Sequence, residues 1–205
     1  RVEIKDLSDE RQDVYRQIRE MSANPMDVDL ARPTSWMQAT TIREANGTET
    51  PLPTFEKHLL CDEQGLFPED FNSWEGEVVR AELGRSGTVA WYRNPSRASQ
   101  DSLGIIYDDG GEPKIVRPDF VFFGQQGDGT FTADIVDPHG IQFGDAIPKL
   151  KGLAQYAERF GDQYRRIDAV AKIGDTFRVL DLKEVATRAA VLAATSIKAL
   201  YEGAH

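Results

Sequence analysis

The sequence predicts a mixed α/β domain whose central sheet contains an antiparallel hairpin and is flanked by helices. Three observations predict it. A helix-period segment starts at Phe71, two strand-like runs meet at Gly127-Asp128-Gly129, and helix-period segments follow Asp145 and Leu182. Strands interleaved with helices in that order are covered by helices on the faces of a sheet.

From the N-terminus, Ser8 to Met21 reads as a helix, because Val14, Ile18 and Met21 share one helical face. Pro25, Pro33, Pro51, Pro53 and the Asn46-Gly47 pair then favour loops and short strands. Residues 1–70 are read as an accessory region, and 71–205 as the main domain. Asn72 or Ser73 is placed to cap a helix with Val78, Val79 and Leu83 inside, ending at Gly84. Thr88–Tyr92 and Leu103–Tyr107 are short strands, the second running into Asp108-Asp109-Gly110-Gly111. Ile115–Phe123 and Phe131–Val136 form the hairpin. Asp145–Arg159 is a helix with Leu150, Leu153, Ala154 and Ala157 as its buried stripe, and Pro148 sits in its tolerant first turn. Ile167–Ile173 and Phe177–Leu180 are strands, and one closing helix runs from Leu182 to Tyr201.

Composition narrows the class. The 205 residues are 40% hydrophobic and 28% charged, which suits a globular domain with one substantial core. No apolar run approaches the roughly 20 residues of a membrane helix, and no secretory leader opens the chain. No membrane partner and a cytoplasmic location are therefore expected. The single Cys61 excludes an internal disulfide and a multi-cysteine zinc site. Arg1 at the first position is read as the start of a piece cut from a longer protein. The net charge of −10 argues against strong autonomous binding to nucleic acid, since phosphate contacts dominate such affinity. A carboxylate-rich metal site, or delivery of the nucleic acid by another domain, is compatible with that charge.

The hairpin carries the chemistry. With its tip at Gly127–Gly129, Asp119 on the first arm falls opposite Asp137 on the second. Directly opposed Cβ atoms lie about 4.5–5.5 Å apart, where two carboxylates repel unless a cation lies between them. Two oxygen ligands suit Mg²⁺ or Mn²⁺, which keeps several waters. Asp134 points to the opposite face of its strand, so Asp137 is the preferred second ligand and Asp134 the alternate. Asp134 or Asp119 could instead be a solvated strand-end residue, although the apolar flanks of Asp119 make an unpartnered carboxylate there costly. His139 shares a face with Asp137 and could act on a phosphate, a water or a metal, or simply tie down its turn. Lys149 lies four residues after Asp145, a surface-pair spacing, but its long stem could also reach the carboxylates. Trp91-Tyr92-Arg93-Asn94, with Arg97, mixes rings and guanidinium groups that suit nucleic acid, or it is a strand end with Trp91 in the core. His58 and Cys61 read as structural.

In order, Phe71-Asn72-Ser73-Trp74-Glu75, Trp91-Tyr92-Arg93-Asn94, Ile105-Ile106-Tyr107, Pro118-Asp119-Phe120, Asp137-Pro138-His139-Gly140 and Asp145 to Lys149 resemble a known pattern. It is similar to the PD-(D/E)XK nuclease domain at the C-terminal side of type III restriction enzymes and related defence helicases, over residues 71–172. The resemblance implies a restriction-endonuclease-like core. It makes Glu75 (with Glu77 as alternate) the helix carboxylate, Asp119 the central metal ligand and Asp137 the second acid. The family expects lysine two residues after Asp137, where this chain has His139. Three outcomes stay open: Lys149 takes the role, His139 serves differently, or cleavage is lost. The function so implied is a Mg²⁺-dependent (or Mn²⁺-dependent) DNA endonuclease. Asp119, Asp137, His139, Lys149 and Glu75 act in catalysis, and Arg93, Asn94 and Arg97 lie on DNA. A helicase motor in the same or a partner chain delivers that DNA. The rival is a silent nuclease-like module that binds DNA or docks on its motor.

Overall fold

The computed structural model describes residues 1–4, 36–71, 73–97, 102–140 and 146–203. The expected Ser8–Met21 helix, the cap candidate Asn72 and the residue Asp145 lie outside these. Three small antiparallel ladders come first. β1 (Val2–Ile4) pairs with β2 (Trp36–Gln38), and β3 (Thr41–Arg43) pairs with β4 (Glu49–Pro51) across the Asn46-Gly47 turn. β5 (Thr54–Glu56) pairs with β6 (Leu66–Pro68).

Then come α1 (Ser73–Leu83), β7 (Thr88–Arg93), β8 (Ile105–Asp109), β9 (Glu112–Val116), β10 (Phe120–Gln125), β11 (Phe131–Pro138) and α2 (Ala146–Phe160). The chain ends with β12 (Tyr164–Ile173), β13 (Thr176–Asp181), α3 (Val185–Ala193) and α4 (Ile197–Glu202). The central sheet runs β13-β12-β11-β10-β7. Its pairs are antiparallel except β11 with β12, which are parallel and joined through α2. A parallel pair needs such a crossover, because a tight turn cannot bring the chain back in the same direction.

Alternation along β10 sorts the core into two layers. Val121 and Phe123 face α2, where Leu150, Leu153, Ala154 and Ala157 bury with Ile135 of β11. Phe120 and Phe122 face the other way, with Trp91, Val136, and Val78 and Val79 of α1. Phe55, Leu60 and Phe67 belong to that second cluster, so residues 54–68 pack on the same sheet as the chain after Phe71. Full burial of each large apolar side chain contributes roughly 1.5–3 kcal/mol.

Two sequence expectations need correction. The run Ile115–Phe123 is not one strand. Ile115 and Val116 end β9, which among the described residues pairs with β8 alone, and the central sheet resumes at Phe120. Pro118 lies in the break; it has no N–H to give a ladder, and its carbonyl accepts from the Asn94 amide at 2.8 Å. The β8–β9 hairpin docks instead on α2, where a Cβ at Gly152 would come within 2.5 Å of the Tyr107 side chain. Only glycine allows that approach. The closing helix is likewise two helices: Ala194 is extended, and Ser196 caps α4 by accepting from the Ala199 amide at 3.3 Å.

Candidate functional site

The hairpin register puts Phe120 opposite Val136, and the next position outward pairs Asp119 with Asp137. The Asp119 amide donates to Asp137 Oδ1 at 3.0 Å, closing the ladder with a side chain in place of a carbonyl. Both carboxylates are largely enclosed, with side chains 23% and 14% exposed. They border a cavity of about 270 Å³ whose wall also includes His139, Lys149, Arg117 and Ser96. Burial first, and then the negative charge of Asp137, push the Asp119 carboxyl up to about 7, against the pull of Arg93.

His139 leaves the end of β11 with its amide donating to Val170 O at 2.9 Å. Its Nδ1 lies 3.2 Å from Asp137 O and 3.7 Å from Asp137 Oδ2, both acceptors, so the ring proton belongs on Nδ1. Nε2 then accepts from the Tyr201 hydroxyl at 3.0 Å. This tautomer is assigned from the partners rather than from hydrogen positions. Burial, followed by Asp137, raises Tyr201 well above the usual phenol range, so its hydroxyl keeps the proton. Both ring nitrogens are thereby engaged, Nδ1 with the Asp137 backbone carbonyl and Nε2 with Tyr201.

Arg93 ends β7 and lies over the Phe120 ring at 4.7 Å and the Phe71 ring at 5.4 Å. Its Nη1 is 3.5 Å from Asp119 Oδ1 and its Nη2 is 3.6 Å from Glu75 Oε1. These are ion-pair distances, longer than good hydrogen bonds. Glu75, in the first turn of α1, therefore reaches the acidic pair through Arg93 from the α1 side of the sheet.

Residues 56–205 match the YagJ family. The chain belongs to the YagJ family. It is similar to Protein YagJ of Escherichia coli (strain K12), with 49% identity over 199 residues that span 97% of this chain and 81% of that protein. No solved structure matches.

Within this YagJ-family fold, the sequence-derived candidates separate. Asp119, Asp137, His139 and Lys149 share the cavity. Glu77 does not join them: it is half exposed and pairs with Lys172 on β12 at 3.2 Å. Asp134 is wholly buried on the α1 face, taken by Arg165 Nε at 2.9 Å and Arg166 Nη2 at 2.9 Å. Arg166 also reaches Glu82 and Asp168, so this is a closed structural network. Asn94 is corrected as a DNA contact. It is 2% exposed, and its amide donates to Leu103 O and Pro118 O while accepting from Leu103 N. Arg93 is turned inward between carboxylates, while Arg97 is exposed. Sequence reasoning missed Tyr201 and the inward turn of Arg93. No local spacing could show Tyr201 meeting His139 across 62 residues.

Among the described residues no three His, Cys, Asp or Glu side chains are grouped to hold a metal ion. Two carboxylates on one cavity remain, and their hard oxygen donors fit Mg²⁺ or Mn²⁺, which commonly takes one or two protein carboxylates and completes its shell with water and phosphate. Among the same residues no helix is long and apolar enough to cross a membrane.

Proposed function

We propose that this chain is a nuclease domain with a PD-(D/E)XK-like core that hydrolyses phosphodiester bonds in DNA with Mg²⁺ or Mn²⁺, in the cytoplasm. The observation that carries the reading is the convergence of Asp119, Asp137, His139 and Lys149 on one cavity. Asp119 and Asp137 would hold the ion, which when bound supplies an activated water and charge neutralisation at phosphorus. The rest of the work falls to the chain. His139 Nδ1 holds the backbone carbonyl of Asp137 beside the cavity, and Tyr201 fixes His139. Arg93 holds Asp119 at the sheet end and ties it to Glu75. Lys149 brings a permanent positive charge to the cavity wall, against the charge that develops on the phosphate oxygens. A helicase motor in the same or a partner chain is proposed to deliver the DNA.

One observation favours a second reading. Arg93 already supplies positive charge within 3.5 Å of Asp119, in the manner of a silent module that no longer needs an ion. Titration of Mg²⁺ and Mn²⁺ against plasmid and single-stranded substrates, wild type beside Asp119→Ala, separates the two. Cleavage that depends on metal and disappears in Asp119→Ala supports the nuclease. No cleavage with either ion, and no effect of either ion on the melting temperature, supports the silent module.

A further inference from the structure

Beyond β7 the chain from Arg93 to Arg97 runs as a ridge beside the acidic cavity. A second hollow of about 460 Å³ opens along it, lined by Phe67, Glu69, Arg93, Pro95 and Arg97. Ser96 borders both, so the hollows adjoin across that residue. Buried polar contacts hold the ridge in place. Besides the Asn94 amide bonds, the Asn94 backbone donates to Asp119 O at 2.9 Å. The Ser102 hydroxyl donates to Pro95 O at 2.6 Å, and Arg117 Nη1 donates to Ser102 Oγ at 2.8 Å. The ridge is thereby set in a fixed relation to Asp119.

The second hollow mixes two guanidinium groups, an apolar rim at Phe67 and Pro95, and the Glu69 carboxyl, which burial raises against the pull of Arg93. A phosphate alone would use only the arginines. A nucleotide uses more of the lining: the phosphate meets Arg97, the flat face of the base meets the Pro95 ring, and its polar edge meets Glu69. The net charge of −10 points the same way. A chain of that sign gains little from many phosphate contacts, so its affinity has to come from the base.

We propose that this hollow binds one unpaired nucleotide next to the phosphate held at Asp119 and Asp137, which makes single-stranded nucleic acid the substrate class. A paired base spends its Watson–Crick edge on its partner and has none left for Glu69. The inference rests on the nuclease reading for the identity of the neighbouring cavity.

Fluorescence anisotropy of the full chain tests it, with EDTA and again with Ca²⁺ in place of Mg²⁺. The probes are a short single-stranded DNA, the same strand made abasic, and its duplex. The single strand should bind about tenfold or more tighter than the duplex or the abasic strand. Arg97→Ala should weaken single-strand binding by about tenfold, and Glu69→Gln should reorder the preference among four homopolymers. Equal affinity for single strand, abasic strand and duplex overturns the proposal, as do variants that bind like wild type. Cleavage of the same probes in Mg²⁺ keeps the two readings apart. Selective single-strand binding without cutting upholds the hollow and sinks the catalytic reading. Duplex cutting untouched by Arg97→Ala and Glu69→Gln sinks the hollow and leaves the catalytic reading standing.

Discussion

The Asp119 amide donates to the Asp137 carboxylate at 3.0 Å, so the first acid of the cavity is fixed to the second through its own backbone. The contact keeps two carboxylates close together, and burial, followed by the charge of Asp137, pushes the Asp119 carboxyl up to about 7. An acid raised on folding binds more protons in the folded chain than in the unfolded one. Its contribution to stability therefore falls as pH rises from about 4 through about 7. Without divalent ions, Asp119→Asn should raise the melting temperature at pH 8, by roughly 1–3 kcal/mol in stability, and change it little at pH 4. Melts at both pH values check this, and an equal shift at both would refute the assignment.

Divalent ions should reverse that order. A cation between Asp119 and Asp137 binds the folded chain alone and stabilises it by mass action, about 2.7 kcal/mol at a hundredfold excess over Kd. Wild type should gain melting temperature in Mg²⁺ or Mn²⁺ at pH 8, and Asp119→Ala should gain none. The same gain in both would put the ion somewhere else.

Lys149 and His139 divide the positive charge unequally. Both line the cavity, His139 with its two ring nitrogens bonded to Asp137 and Tyr201, and Lys149 from the first turn of α2. Cleavage by Lys149→Ala should drop by about 10²–10³, as for loss of one oriented charge donor, and by less for His139→Ala. Rates for both variants on one DNA in Mg²⁺ decide the matter. A dead His139→Ala beside a near-wild-type Lys149→Ala would reverse the roles.

Tyr201→Phe removes one hydroxyl and leaves the ring in its buried site. The lost hydrogen bond should cost about 0.5–1.5 kcal/mol in stability. The ¹⁵N chemical shift of His139 Nε2 should move as its donor disappears, a change that packing alone would not produce. An unchanged Nε2 signal would show that Tyr201 does not hold the imidazole in solution.

Asp134 and Glu77 make a contrasting pair. Asp134→Ala leaves Arg165 without its buried partner, while Arg166 keeps Glu82 and Asp168, which should cost about 1–3 kcal/mol in chemical denaturation. Glu77→Ala breaks only a half-exposed pair with Lys172 and should stay within about 0.5 kcal/mol. Comparable losses in the two would contradict the assignment of Asp134 to the structural network.

The sequence by itself determined what rests on short-range geometry. The Gly127-Asp128-Gly129 tip sets the hairpin register, because side chains alternate strictly and a tight turn leaves no slack. Asp119 therefore falls beside Asp137, and Asp134 on the other face. The stripe of α2 and the existence of β7, β12 and β13 follow from the same periodicities. The tertiary structure alone decided the rest. The break at Pro118 and the docking of β8–β9 on Gly152 each depend on a partner distant in the chain. So do the inward turn of Arg93 toward Glu75 and the meeting of Tyr201 with His139. A contact across 62 residues leaves no period in the sequence, because it is chosen by the packing of whole elements rather than by the torsions of neighbours.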